Sequence, residues 1–311
     1  MSNSILDAKH FHDEEAAYAY LEARVWPNGP VCPHCGGVDR IGKMGGKSTR
    51  IGVYKCYQCR KPFRVTVKTV FESSHVPLRL WLQAVHLLAS SKKGISSNQL
   101  HRTLGVTLKT AWFMSHRVRE AMRVLGVEPM GGAGKVVEAD ETYTGRIEGM
   151  PKMQRGWTHK NMVLTLVERG GSARSFHIDG RAIRDVMPII RENVARESRM
   201  NTDEAKHYYD LGKEYAGHDT VSHRYDEYVR YTKDPEYVIT TNTVEGYYSI
   251  FKRGMKGVYQ HCKEKPLHRY LAEFDFRYSN RVALGISDVA RADRALKGIV
   301  GKRLTYETPH K

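Results

Sequence analysis

Apolar positions recur at helical spacing in some stretches of the chain and at strand spacing in others. FHDEEAAYAYLEAR predicts a short helix that ends at Pro27-Asn28-Gly29, and GVYKCYQCRKPFRVTV reads as strand. From Pro77 to about Leu125 the pattern is helical, broken at KKGIS and again at LGVT. Inside that region GISSNQLHRTLGVTLKTAWFMSHRVREAM has the form of a helix, a short turn containing Gly105, and a second helix. Ser96 or Ser97 is expected to cap the first helix, Leu100 and Leu104 to be buried, and the second helix to open after Val106-Thr107. The Gly-rich GVEPMGGAGK then reads as a linker and is the clearest boundary in the chain.

Beyond the linker, KVVEAD, NMVLTLVER and ARSFHI predict strands, with a turn at Gly170-Gly171. RAIRDVMPIIRENVAR predicts a helix, followed by a short strand into SRMNTDEAKHY, a polar DTVSH, and the amphipathic helix TNTVEGYYSIFKRGMKG. In that helix Val244, Tyr248, Phe251 and Met255 share one face, while Glu245, Ser249, Lys252 and Lys256 form the adjacent row; Asn242 or Thr243 is expected to cap it. The tail after Asn280 is basic and helical in part. The expectation is a multidomain α+β chain: 1–72 with a helix and four cysteines, 73–128 with a helix-turn-helix, and 129–311 as a mixed α/β domain.

Charge narrows the partner. Lys and Arg exceed Asp and Glu by 16, and the basic residues run through all parts of the chain. This favours a polyanion, nucleic acid ahead of an anionic membrane. No apolar run approaches the roughly 18 residues of a membrane span, and the mixed acids and His of the first segment do not resemble a signal peptide, so a cytoplasmic protein is expected. Four of the five cysteines lie in tight pairs and Cys262 stands alone, a usage that argues against disulfides.

Those pairs, Cys32-Pro-His-Cys35 and Cys56-Tyr-Gln-Cys59, are separated by 20 residues, the spacing of a zinc ribbon. Four thiolates leave no open position, so the metal is structural. A rubredoxin-like iron site has the same ligands, and a DNA-linked context favours zinc; His34, inside the first knuckle, is read as a bystander. In the helix-turn-helix, Thr107, Lys109 and Thr110 open the second helix and are candidates for base contacts, with Arg117, Arg119 and Arg123 for phosphates. The competing description is an ordinary helical hairpin with a solvated basic face.

Asp140 ends an apolar strand, where a carboxylate emerges from a sheet into a cleft; Glu138 shares its face and Glu141 points away. Asp203 follows a second short strand, although capping of the next helix is a rival use. Glu245, beside the apolar stripe of its helix, has surface ion pairing as its plain alternative. Together the three carboxylates can hold two divalent ions for in-line displacement at phosphorus. Lys252 lies on nearly the same helix face as Glu245, within reach of a DNA phosphate, and Arg155, His159, Lys160, Arg253 and Lys256 are candidates for admitting a polyanion to an acidic cleft.

With RVWPNGPVCPHCGG, YKCYQCRKPFRVTVKTVFESSHVPLRLWLQA, VEADETYTG, VSHRYDEYV, TNTVEGYYSIFKRGMKGVY and LHRYLAEFDFRYSNR in order, nearly the whole chain resembles bacterial insertion-sequence transposases with an amino-terminal zinc ribbon, relatives of the eukaryotic Merlin elements. The resemblance implies a ribonuclease-H-like catalytic domain at 129–311 and DNA cleavage and joining by three carboxylates with two Mg²⁺ (or Mn²⁺) ions, the DDE mechanism. By carry-over Asp140, Asp203 and Glu245 are those acids and Lys252 the accompanying cation; some relatives use Asn as third ligand, which keeps Asn242 in view. It further implies double-stranded DNA partners (terminal inverted repeats and target), a homodimer or larger assembly on DNA, and a nucleoid-associated location. The alternatives are a DNA-binding regulator with an inactive transposase-derived domain and a structure-selective nuclease of the same fold.

Overall fold

The computed structural model describes residues 4–124, 126, 128–151, 156–178, 185–260 and 262–305. The chain forms two compact units, one from Met1–Ser91, Ile95–Arg123 and Ser287–Lys311, the other from Lys92–Gly94 and Val124–Ile286.

In the first unit α1 (Glu14–Val25) starts at Asp13, whose side chain accepts from Ala16 N at 2.7 Å, and it buries Ala17, Tyr18 and Leu21. Strands β1 (Ile41–Lys43), β2 (Tyr54–Cys56) and β3 (Pro62–Phe63) pair antiparallel. Helix α2 (Leu78–Ser90) buries Trp81, Leu82, Val85 and Leu88, and its first amides donate to the carboxylate of Glu14, from Leu78 N at 2.6 Å and Arg79 N at 3.1 Å. Helices α3 (Ser97–Leu104) and α4 (Leu108–Met122) follow, with Ser96 capping α3, Gly105 in the left-handed region at φ 66° and Leu100 and Leu104 buried as expected. The final helix, Asp288–Lys297, packs on α2 with Ala292, Ala295 and Leu296 buried, and Asp293 pairs with Arg24 of α1. This differs from the expected 129–311 span: the last turns of the chain serve the core of the first unit, a long-range pairing that local periodicity does not encode.

The second unit is built on five strands, β4 (Val136–Thr144), β5 (Asn161–Glu168), β6 (Ala173–Ile178), β7 (Arg199–Asp203) and β8 (Gly217–Val221), in the order β6-β5-β4-β7-β8. The β6-β5-β4 neighbours are antiparallel and the β4-β7-β8 neighbours parallel. Helices α5 (Val186–Asn193) and α6 (Leu211–Glu214) flank β7; a hairpin of β9 (Val229–Tyr231) and β10 (Val238–Thr240) leads into α7 (Asn242–Gly254), a π turn over Met255–Tyr259 and α8 (Leu267–Ser279). Alternation along β5 feeds two cores. Leu164 and Leu166 pack with Val137, Ala139, Met200 and Ile190, while Val163 and Val167 on the opposite face pack with Val244, Tyr248, Phe251 and Phe274.

Three features depart from the sequence reading. The polar DTVSH lies largely in β8, a strand at the end of the sheet, where a solvated side hides the alternation, and the β9–β10 hairpin was not expected. The Gly-rich linker is pinned in its second half: Met130 is buried, Gly131 N donates to Glu168 and Gly132 N to Ser198 Oγ. Neither Asn242 nor Thr243 caps α7, which starts from Thr241 without a side-chain cap of its own. Among the described residues no helix is long and apolar enough to cross a membrane.

Candidate active site

Parallel pairing of β4 with β7 matches Val136 to Arg199 and Glu138 to Asn201. Two residues further along each strand come Asp140 and Asp203, so register alone sets both carboxylates at one level on one face of the sheet. Asp203 is the last residue of β7, and its Oδ1 accepts from Ala205 N at 3.0 Å. That is a local turn bond; the next element is a 3₁₀ turn over Lys206–Tyr208, so the expected rival role of capping a regular helix falls away. Asp140 Oδ1 accepts from Glu141 N at 2.7 Å.

Glu245 enters from α7. Its Oε1 accepts from Thr241 Oγ1 at 3.1 Å and faces His223 Nε2 at 3.3 Å, so its partners come from the helix start and from beyond β8 rather than from the cations of its own row. The helix stripe is as expected, with Val244, Tyr248, Phe251 and Met255 buried and Tyr247 joining them. Tyr248 OH donates to Asp140 O at 2.5 Å, which ties α7 directly to the strand carrying the first acid.

Asp140 is raised by its surroundings. Burial, and then the negative charges of Glu141, Asp203 and Glu245, push Asp140 up to about 7. Asp203 is also raised, by burial and by Glu141. Among the described residues no Lys or Arg lies within 4.0 Å of the carboxylate of Asp140, Asp203 or Glu245. The three are not drawn into a tight single-ion cage either, since the four cysteines alone, among the described residues, bring their ligand atoms within 4.8 Å of one another. An open set of carboxylate oxygens with no Lys or Arg against it among the described residues suits hard divalent ions that keep part of their water. Lys252 is exposed, its ammonium 5.6 Å from the centre of the Tyr248 ring, and Arg253 and Lys256 are exposed on the same helix and the turn after it. Lys160 is half-buried and His159 buried; Arg155 lies outside the described residues.

Three neighbours of the acids, His207, Tyr208 and His223, were not expected from the sequence. Glu141 points to the opposite face, as expected, yet there it accepts from Tyr208 OH at 2.5 Å and meets His207 Nε2 at 3.0 Å. His223 follows β8 by two residues. The available signal was positional: residues just past the carboxyl ends of parallel strands gather around one cleft, but β8 had not been recognised as a strand. Tyr143 stacks on Trp157 with ring centres 4.7 Å apart.

In the first unit Cys32 and Cys59 stand with sulfurs 3.6 Å apart and Cys35 and Cys56 3.7 Å apart. A tetrahedral ion with Zn–S bonds of about 2.3 Å requires S···S separations of about 3.8 Å, so the four thiols fit such a cage. Turns at Gly36 (φ 75°) and Arg60 (φ 62°) let each knuckle fold back on itself. His34 is exposed and outside the group.

The expected DNA contacts divide. Thr107 and Lys109 are exposed at the start of α4 and Thr110 is half-buried; Thr107 Oγ1 caps that helix by accepting from Thr110 N at 3.1 Å. Arg117 and Arg119, expected at phosphates, are instead buried: Arg117 donates to Leu304 O and Glu72 O, and Arg119 to Ser115 Oγ. Their guanidiniums satisfy internal acceptors and the expectation is corrected. Arg123 remains partly exposed beside Glu120.

The ISXO2-like transposase domain matches residues 131–279, and the transposase zinc-ribbon domain matches residues 12–62. An uncharacterized protein in the transposable element ISH50 of Halobacterium salinarum is 27% identical over 289 residues, covering 88% of this chain and 93% of that protein.

Proposed function

We propose that this chain, which belongs to the family of insertion-sequence transposases with an amino-terminal zinc ribbon, binds the terminal inverted repeats of a DNA element, cuts its ends and joins the freed 3′-hydroxyls to target DNA. The support for the reading is that the β4–β7 register sets Asp140 and Asp203 level on one face, Tyr248 ties the helix of Glu245 to Asp140, and no Lys or Arg among the described residues lies within 4.0 Å of the three carboxylates. The strand order β6-β5-β4-β7-β8, antiparallel then parallel, supports a ribonuclease-H-like domain.

Asp140 and Asp203 would hold the cations from the sheet and Glu245 from the helix. When bound, two Mg²⁺ or Mn²⁺ ions supply an activated oxygen nucleophile and neutralise the leaving oxygen. In cleavage, water forms the new P–O bond and the 3′-oxygen leaves as a hydroxyl. In joining, that hydroxyl oxygen attacks a target phosphodiester, and the target's own 3′-oxygen departs. Lys252, with Arg253, Lys256 and Lys160, compensates the phosphate charge near the acids. The helices α3 and α4 act as a helix-turn-helix, presenting Thr107, Lys109 and Thr110 to the major groove, and the four cysteines hold structural zinc. Two element ends must be joined together, so the acting species on DNA is a homodimer or larger.

Purified protein incubated with labelled duplex carrying the element's ends and Mg²⁺ tests this. Asp140→Asn is expected to abolish strand cleavage while end binding stays near that of the unchanged chain, and equal loss of both activities would contradict this division of labour.

A further inference from the structure

Glu138 lies two residues before Asp140 on the same face of β4, and it is 0% exposed. A carboxylate taken wholly out of water is destabilising unless every oxygen is compensated. Here the compensation is complete and directional. Oε2 accepts from the backbone amides of Thr243 at 2.8 Å and Val244 at 3.0 Å, and Oε1 accepts from Thr243 Oγ1 at 2.8 Å and from Arg169 Nε at 2.7 Å. The amides belong to the first turn of α7, which has no side-chain cap from its own N-cap residue. A strand carboxylate therefore satisfies the helix's unpaired donors and sits at the positive end of its dipole.

The rest of Arg169 is directed at the same place. It donates through Nη1 to Val238 O at 2.6 Å and through Nη2 to Thr240 O at 2.9 Å, so it grips the strand that delivers the chain into α7. Asn201, the β7 partner of Glu138, adds a bond from Nδ2 to Thr240 O at 3.3 Å. Three residues past Glu245, Tyr248 OH reaches Asp140 O at 2.5 Å. Glu245 thus sits between two ties to β4, and it directly follows Val244, the last residue held by Glu138.

We infer that Glu138, held by Arg169, is a positioning residue that sets where the carboxylate of Glu245 stands relative to Asp140. Its four accepted bonds direct its oxygens to protein donors, so it is no metal ligand; one strand carries the first acid and anchors the helix bearing the third. The inference rests on reading the three acids as the divalent-ion site.

Mn²⁺ binding to the full chain, followed by the loss of the free-ion EPR signal, tests both statements separately. Glu138→Gln turns at least one accepted bond into a clash of donors, and Mn²⁺ affinity is expected to fall about 10- to 100-fold, the range typical of groups that orient metal ligands. The Mn²⁺ concentration for half-maximal cleavage should rise by the same factor. Glu214→Gln, which breaks a surface pair with Arg191 and Arg196 far in sequence from α7, is expected to leave Mn²⁺ affinity unchanged. Thr243→Val, which removes one hydroxyl bond and keeps the charge of Glu138, should weaken Mn²⁺ a few-fold and decides the matter if Glu138→Gln does not fold. Mn²⁺ affinity at the level of the unchanged chain in folded Glu138→Gln, or in Thr243→Val should that variant have to decide, overturns the inference. Mn²⁺ binding that survives Asp140→Asn overturns instead the site reading beneath it.

Discussion

Replacing Asp140 with Asn should make the metal-free protein more stable, even though it removes a residue proposed to be essential. Asp140 is raised from 3.8 to about 7 by burial and by Glu141, Asp203 and Glu245. The folded state therefore prefers the protonated acid. Its ionisation weakens folding progressively as pH climbs from about 4, where the unfolded chain loses the proton, to about 7, where the folded chain does. That rise corresponds to at most about 4 kcal/mol at pH 8. Asn keeps the shape and carries no charge, so Asp140→Asn should gain at least about 1 kcal/mol at pH 8 and little at pH 4. Urea unfolding followed by far-ultraviolet circular dichroism, in buffer freed of Mg²⁺ and Mn²⁺ but with zinc retained, measures this. Added Mn²⁺ should then stabilise the unchanged chain more than the variant. A variant no more stable than the parent at pH 8, or a gain of equal size at pH 4 and 8, would refute the electrostatic picture of the cluster.

Other expectations concern separate parts. Cys56→Ser, or zinc removal with a strong chelator, should unfold the ribbon and remove end binding while Mn²⁺ still binds the carboxylates; circular dichroism with gel-shift binding checks both. Lys109→Ala should weaken DNA binding and lower the slope of log affinity against log salt by about 1, leaving the melting temperature unchanged. Arg119→Ala, by contrast, should cost about 2 to 4 kcal/mol of stability because it empties a buried site and removes the bond that Ser115 Oγ accepts, a loss visible by thermal melting without DNA.

Much of the carboxylate cluster could be read from local pattern. Asp140 beyond Val136 and Val137, Asp203 closing a short strand, and Glu245 beside the stripe of Val244, Tyr248, Phe251 and Met255 each carry a periodic signature, and the sheet brings the first two level by register, although Asp140 stands in the middle of β4 rather than at its expected end because Glu141–Thr144 continue the pairing with β5. The cysteine cage was legible for the same reason, since a Cys-x-x-Cys knuckle is a local geometry. What escaped depends on contacts distant in sequence. Glu138 shared the face of Asp140 as expected, but nothing local says that its oxygens receive amides 105 and 106 residues away. Arg117 looks like a surface cation on a helix until Glu72 and Leu304 arrive as acceptors. His223 went unnoticed because β8, at the end of the sheet, shows too little alternation to announce itself.

Strand joining by the unchanged chain beside Glu245→Gln, on DNA carrying the element's ends with Mg²⁺, tests the central claim most directly. Cleaved and joined products from the unchanged chain alone, with both proteins binding the ends equally, are the expected result. Equal product from both proteins would remove Glu245 from the site. End binding without strand breakage by either would contradict the enzymatic reading and leave a DNA-binding regulator.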